Sequence, residues 1–325
     1  MGAGQCSNGF RQPAVGFFGD LLERPERPLQ PRQGAAVSLQ IGRRLVHGRD
    51  QFFRIHHQGP FAGQFRFFTP FRVQRFQFAQ DMWHGNLFAD AERQNRDILA
   101  LAPDFADVAN NLGLAYARQG KHREAVETYR KALALESDLA VLHLNLGLSL
   151  EQLNRAAEAE PAYVRALEIE PLLPKAHDAL GLLCAKRGEF ESARHHFLKE
   201  TEVNQGFADG HNHLGLIYLS LNEPAEAVAP LKRAIELDPA HADALNHLGL
   251  AQNRLGETER AAAAFENAIK AAPNFVPALV NLGLIHIERG DLDDAEILFI
   301  KVLSLDPGSA IARRKLERIR FEKGQ

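Results

Sequence analysis

The tripeptide Leu-Gly-Leu recurs six times along this chain of 325 residues, always at a spacing of 34 residues and without an insertion. A fixed period of this length indicates a repeat architecture, in which each repeat packs only on its neighbours. When this glycine is numbered as position 8, the six repeats are 106–139, 140–173, 174–207, 208–241, 242–275 and 276–309. The period restricts the fold to a stacked array before any other feature is considered.

Other positions keep the same register and predict two helices in each repeat. Positions 4, 7, 8 and 11 form one stripe at helical spacing. Glycine at position 8 and alanine at position 20 leave room for the helices to approach, and an aromatic ring occupies position 24 in five repeats. Glycine or asparagine at position 15 favours the left-handed backbone that ends the first helix. Proline at position 32, present in four repeats, interrupts the second helix.

These residues resemble the tetratricopeptide repeat (TPR) family, whose unit is a 34-residue helix-turn-helix. The resemblance implies an all-α fold, a right-handed superhelical solenoid of antiparallel helix pairs with the first helices on the concave side. We expect a TPR domain over 86–325, made of a half repeat (86–105), six repeats (106–309) and a capping helix (310–325). The Asn-Leu-Gly sequence that recurs in these repeats is also similar to the TPR array of the O-GlcNAc transferase family. That family carries its catalytic domain after the repeats, so we do not expect transferase activity in this chain.

Residues 1–85 share no repeat register and have a different composition. They hold 12 of the 21 phenylalanines and no lysine; their formal charge of +6 leaves −9 for the rest of a chain whose total is −3. Within 63–80, Phe and Val alternate with Arg and Gln around Thr69-Pro70, which is typical of two short strands and a turn. Three interpretations stay open. The segment is an irregular, weakly β or disordered extension, or it is a basic, aromatic tail that binds single-stranded nucleic acid. In the third interpretation the start is mis-called and the natural protein begins near Met82. The reverse complements of Glu, Leu and Ala codons encode residues such as Phe, Gln and Arg, so an antisense copy of a gene rich in Glu, Leu and Ala would have this composition.

The sequence lacks the motifs of common enzyme classes, so we expect a non-catalytic protein with no cofactor and no metal. No GxxxxGK[ST], GxGxxG, GxSxG or HExxH motif is present. His211 and His213 look like a metal pair, but two residues apart on a helix they point to opposite sides. Two cysteines and no secretory signal favour a cytoplasmic protein, and no apolar run is long enough to span a membrane. The net charge of −3 argues against nucleic-acid binding by bulk charge.

Glu200 departs from the repeat pattern because it occupies position 27, where the other repeats carry alanine or valine. A carboxylate between two helices costs free energy unless it is paired. Glu200 can pair with His177 or His211, or it can reach water where the helix end opens locally. We expect the second arrangement.

The first helices present a second face at positions 2, 5, 6, 9, 12 and 13, which the TPR resemblance places in the groove. Leucine fills position 9 in every repeat, and polar residues recur at positions 5 and 6. We expect an apolar strip beside a ladder of amides and imidazoles that pairs with a peptide backbone. In the other interpretation, the leucines pack between first helices and the polar residues only hydrate the groove. The candidates are Asn111, Asn145, His213, His247 and Asn281 at position 6, Asn110, Asn212 and Asn246 at position 5, and Leu114, Leu148, Leu182, Leu216, Leu250 and Leu284 at position 9.

The sequence therefore predicts a scaffold for a protein or peptide partner, with no small-molecule substrate. Two other functions stay open: an accessory subunit of an enzyme such as a glycosyltransferase or of a surface-assembly system, and nucleic-acid binding through the basic tail. The TPR resemblance also raises a second mode of binding, in which some members of the family hold a C-terminal carboxylate with lysine at position 5 and asparagine at position 9. We do not expect this carboxylate clamp here, because position 5 has no lysine and position 9 has no asparagine. His213 and His247 are expected to gain charge near pH 6.5 and to favour an anionic partner at lower pH.

Overall fold

The computed structural model describes residues 53–54, 67–68, 88–101 and 103–324 of the chain. Among these residues the fold is all-α, as the repeat pattern predicts, apart from two strands of two residues each. No helix in this part of the chain has both the length and the apolar character needed to cross a membrane. The helices are α1 (Phe88–Leu101), α2 (Ala106–Arg118), α3 (His122–Leu135), α4 (Ala140–Gln152), α5 (Ala156–Ile169), α6 (Ala176–Lys186), α7 (Phe190–Val203), α8 (Ala208–Ser220), α9 (Pro224–Leu237), α10 (Ala242–Arg254), α11 (Thr258–Ala271), α12 (Val276–Arg289), α13 (Leu292–Leu305) and α14 (Ala310–Lys323).

The two short strands precede the helices. β1 (Phe53–Arg54) pairs antiparallel with β2 (Phe67–Phe68). β2 coincides with the first of the strands expected around Thr69-Pro70, but its partner lies upstream of it rather than beyond the turn. The second expected strand and the rest of the extension fall outside the described residues.

The two helices of each repeat touch at the glycine of position 8. A Cβ added to Gly249 would lie 2.5 Å from Cε1 of Phe265, the position-24 residue of the same repeat. The same contact between positions 8 and 24 recurs in all six repeats, and the alanine at position 20 is fully buried in each. The predicted roles of these three positions are therefore confirmed. The glycines are Gly113, Gly147, Gly181, Gly215, Gly249 and Gly283, and their partners are Tyr129, Tyr163, Phe197, Leu231, Phe265 and Phe299.

The turn between the two helices depends on position 15. This residue has a positive φ in every repeat, between 57° at Asn154 and 84° at Gly290. Glycine adopts this left-handed conformation without strain, and asparagine tolerates it better than most residues. The prediction that position 15 ends the first helix is confirmed.

The chain divides into two compact units between Leu173 and Pro174. Within the described residues, the first unit contains β1, β2 and α1 to α5. In it, α1 packs on α2 and buries Ala91 and Ile98. Within the described residues, the second unit contains α6 to α14. There, α14 packs on α13 and adds its own residues to the last apolar cluster of the array.

Helix α6 begins two positions later in its repeat than the other first helices. Its start is shifted to Ala176 because Lys175 adopts the left-handed conformation, with φ of 69°. The N–H groups at the start of a helix have no partner within the helix and need an acceptor from elsewhere.

Glu200 supplies this acceptor. Its carboxylate is fully buried and accepts hydrogen bonds from the backbone N–H of Lys175 at 2.8 Å and of Asp178 at 3.4 Å. The side-chain amide of Asn204 donates a third, at 3.3 Å. Burial raises the pKa of Glu200, and the hydrogen bonds from Lys175 and Asn204 oppose that rise. The expectation that Glu200 reaches water is wrong, and so is pairing with a histidine, because the carboxylate caps the N-terminus of α6.

Candidate functional site on the first helices

The candidate site is the side of the first helices that carries positions 5, 6 and 9, here named the first-helix face. Within the first unit α2 contacts α4, and within the second α6 contacts α8, α8 contacts α10 and α10 contacts α12. Contacts between consecutive second helices are sparser. A stack of helix pairs curves toward the side where its helices lie closer together. The first helices therefore form the inner side of each unit.

Side chains at positions 5 and 6 bond neighbouring repeats to each other. Position 6 of one repeat follows position 5 of the preceding repeat by 35 residues, and the two meet where consecutive first helices touch. Asn145 donates from Nδ2 to Oδ1 of Asn110 at 2.9 Å. Asn281 makes the same bond to Asn246, also at 2.9 Å. These pairs, together with two that contain histidine, are here named the side-chain ladder.

Histidine replaces asparagine at position 6 in two pairs of the second unit. Nδ1 of His247 lies 2.8 Å from Oδ1 of Asn212, and Nδ1 of His213 lies 2.7 Å from Oδ1 of Asp178. Burial by itself would lower the pKa of His213, but the carboxylate of Asp178, helped by Asp209, raises it above its ordinary value. The charge of a protonated His213 is therefore neutralised within the protein, which weakens the expectation that it attracts an anionic partner.

Burial separates the candidate polar residues into two groups. Four are buried, with at most 9% of the residue exposed, and four are half-buried. Each amide has a donor end and an acceptor end, and a ladder bond uses only one of them. Asn111 has no ladder bond to a described residue, and the residue 35 positions earlier, Phe76, carries no polar side-chain group that could form one. The buried members are Asn212, His213, Asn246 and His247, and the half-buried members are Asn110, Asn111, Asn145 and Asn281.

The leucines of position 9 contribute to the packing between repeats. Leu216 and Leu284 are buried in apolar clusters, and Leu182 and Leu250 pack against such clusters from the side. Leu114 and Leu148 in the first unit are half-buried. Four of the six position-9 leucines, Leu114, Leu148, Leu182 and Leu250, are therefore half-buried, and two are buried.

Among the described residues, His177 and His196 contact each other, and His211 contacts the loop before α8. Nδ1 of His177 is 3.2 Å from Nδ1 of His196, and burial lowers the pKa of His196 to about 4. Nε2 of His211 is 3.2 Å from the backbone oxygen of Gln205, and Cys184 is buried. Among the described residues, no group of three or more His, Cys, Asp or Glu side chains is arranged to hold a metal ion.

Sequence reasoning missed two features of these helices. One is the pairing of positions 5 and 6 across repeats, which brings Asp178 into the ladder opposite His213. A search for complementary residues at an offset of 35 rather than 34 would have found it. The other is Gln252, a polar residue at position 11 that is only 8% exposed.

Comparison with known proteins identifies the repeat type. A family model described as tetratricopeptide repeat matches residues 144–208, 212–274 and 254–310. A second family model with the same description matches residues 104–171, so that the matches span more than half of the chain. No match is found among curated proteins.

Several solved structures are similar in fold. YrrB, described as a TPR protein with an unusual peptide-binding site, is 22% identical with a TM-score of 0.50, covering 58% of this chain and 97% of that one. A chain of the APC/C hetero-tetramer Cut9-Hcn1 is 16% identical with a TM-score of 0.60, covering 76% of this chain and 46% of that one. PilF of Pseudomonas aeruginosa is 19% identical with a TM-score of 0.58, covering 67% and 97%. At these identities the likeness concerns the fold alone.

Proposed function

Because the chain belongs to the tetratricopeptide repeat family, we propose that it is a non-catalytic scaffold that binds an extended segment of a partner protein along the first-helix face. The observation that supports this most is the side-chain ladder, which holds amide and imidazole groups on the inner side of each unit. Side chains that are already held in place lose little conformational freedom on binding. Their hydrogen bonds to a ligand therefore carry a smaller entropic cost.

The first two repeats are the best-suited part of this face. Asn110, Asn111 and Asn145 are half-buried there, beside the half-buried Leu114 and Leu148. A peptide backbone alternates N–H donors and C=O acceptors, and an asparagine amide can pair with either. The leucines offer apolar contact to the partner's side chains. We propose that a peptide segment contacts these five residues first.

A pair of variants tests this proposal without disturbing the stack. Asn111→Ala removes a groove amide that has no ladder bond to a described residue, and Asn274→Ala removes an exposed asparagine in the loop before α12 as a matched control. Wild-type chain and both variants serve as baits for quantitative mass spectrometry of retained proteins. We expect at least one protein to be retained by the wild type and Asn274→Ala and to be depleted with Asn111→Ala.

Calorimetric titration with that protein gives the magnitude. One lost hydrogen bond is worth about 0.5–1.5 kcal/mol, or about twofold to tenfold in affinity. Asn111→Ala combined with Asn145→Ala should then cost about tenfold or more. Full affinity in this double variant, with unchanged circular dichroism, would move the binding site away from the first-helix face.

A further inference from the structure

Two imidazoles from different helices meet in the third repeat, outside the first-helix face. His177 lies at position 4 on α6 and His196 at position 23 on α7, and their Nδ1 atoms are 3.2 Å apart. The ring centroids are 5.5 Å apart and the ring planes are inclined by 31°. Both residues are half-buried, so part of each residue faces solvent.

The repeat pattern separates this pair from the other histidines at position 4. Nε2 of His143 lies 2.9 Å from the backbone oxygen six residues earlier, and Nε2 of His211 lies 3.2 Å from the equivalent oxygen. A histidine at position 4 therefore has a recurring contact with the loop before its helix. In the third repeat alone, position 23 of the paired helix is also a histidine, whereas the other repeats carry Thr128, Ala162, Pro230, Ala264 and Leu298 there. The contact between two imidazoles is thus not required for the helix pair to form.

The proton on each ring decides what the pair can do. A neutral imidazole has one nitrogen that donates and one that accepts, so two Nδ1 atoms at 3.2 Å form a hydrogen bond when only one of them is protonated. If the donating ring moves its proton to Nε2, both Nδ1 atoms present a lone pair and neither ring changes its charge. A change of tautomer therefore converts the hydrogen bond into a pair of nitrogen ligands.

The distance between the two nitrogens suits a transition-metal ion. Zinc binds histidine nitrogens at about 2.0–2.1 Å, so an ion bound to both Nδ1 atoms would hold them at an angle of about 100° at their separation of 3.2 Å. This angle lies close to the values of tetrahedral and square-planar coordination. Imidazole nitrogen is a preferred ligand of zinc, copper and nickel, whereas magnesium and calcium prefer oxygen ligands.

We propose that His177 and His196 bind a divalent transition-metal ion through Nδ1 of each ring, with water in the remaining coordination positions. Because the protein supplies two ligands, the site is open and exchanges its ion, unlike a closed structural site with four protein ligands. The bound ion connects α6 to α7 and stabilises the third helix pair, since it binds the folded arrangement. Neither histidine belongs to the first-helix face, so this proposal and the proposed function can fail independently.

Calorimetric titration of the untagged full chain with Zn²⁺, and separately with Mg²⁺, at neutral pH tests the proposal. His177→Leu places the residue of Leu279 at position 4, and His196→Ala places that of Ala264 at position 23, so both variants use residues that this repeat pattern already accepts. His143→Leu is the matched control, because it removes a position-4 histidine that contacts a backbone oxygen. We expect the wild type and His143→Leu to bind Zn²⁺ equally and each of the other two variants to bind it about tenfold or more weakly. None of the four should bind Mg²⁺.

Pulsed electron paramagnetic resonance with one equivalent of Cu²⁺ counts the ligands directly. The wild type and His143→Leu should show two imidazoles on the copper, and His196→Ala should not. If His177→Leu does not fold by circular dichroism, His196→Ala decides alone. The proposal is overturned if the wild type binds neither Zn²⁺ nor Cu²⁺, as expected when the two rings only share a hydrogen bond. It is also overturned if Zn²⁺ affinity survives in His196→Ala or falls as much in His143→Leu.

Discussion

Replacing Gly249 by alanine tests the contact on which every helix pair depends. The added methyl group would lie 2.5 Å from Cε1 of Phe265, well inside van der Waals contact. At Gly283 the corresponding distance to the ring of Phe299 is 3.0 Å. Both rings are buried, with 1% and 0% of the residue exposed, so neither can swing into solvent. The two glycines form a matched pair that differs mainly in this distance.

Two opposing effects set the size of the change. Alanine inside a helix is more favourable than glycine by about 1 kcal/mol, whereas overpacking costs about 1–3 kcal/mol. At Gly249 the phenylalanine ring or the helix must shift, so overpacking outweighs propensity. We expect a net loss of about 1–2 kcal/mol. At Gly283 a shift of a few tenths of an ångström is enough, and the variant should stay within about 1 kcal/mol of the wild type.

Urea unfolding followed by circular dichroism measures the free energies, and hydrogen exchange locates the damage. Local measurement is needed because a repeat array can open one section at a time. Gly249→Ala should lose amide protection first in α10 and α11. The packing argument is refuted if Gly249→Ala is as stable as the wild type or if Gly283→Ala is the more damaged variant.

Three further predictions concern polar groups between helices. Asp178 raises the pKa of His213, so the pair adds its full stability below about pH 6.5, the pKa of histidine in the unfolded chain. This stability is lost as pH rises through the pKa of His213 in the folded protein. The midpoint of thermal unfolding should therefore fall from pH 6 to pH 8, and it should fall less in His213→Asn. Burial raises the pKa of Glu200, so stability should also fall as pH rises from about 4.3, the pKa of glutamate in the unfolded chain, through the pKa of Glu200 in the folded protein. Urea unfolding between pH 4 and 6 should show this dependence, and Glu200→Gln should remove it. Asn145→Ala, which breaks a ladder bond, should lower the melting temperature in differential scanning fluorimetry, whereas Asn111→Ala should not.

Contacts within one repeat could be predicted from the sequence because they recur in every copy. Gly249 and Phe265 lie 16 residues apart in the sequence, as do their equivalents in the other five repeats. Glu200 occurs at its position only once, and its role depends on the late start of α6 after Lys175. Because Glu200 occurs at this position in one repeat only, the repeat pattern gives no information about its surroundings, and they were predicted wrongly.

The candidate site was predicted as a set of positions but not as a set of bonds. Asn145 and Asn281 were identified as groove residues, yet each donates to an asparagine of the preceding repeat. Such features depend on the distance between elements, which periodicity alone does not provide.

The ladder also links stacking to binding. A pair between positions 5 and 6 forms only when consecutive first helices are in register, because a slip would leave buried Asn212 or Asn246 without its partner. Each such loss costs about 1–3 kcal/mol, so the ladder selects one stacking arrangement over its neighbours. A peptide that bonds to the unused ends of the same amides would bind best to the in-register array. Binding along the first-helix face should therefore stabilise the contacts between repeats, and hydrogen exchange in α2 and α4 should slow when the partner is bound.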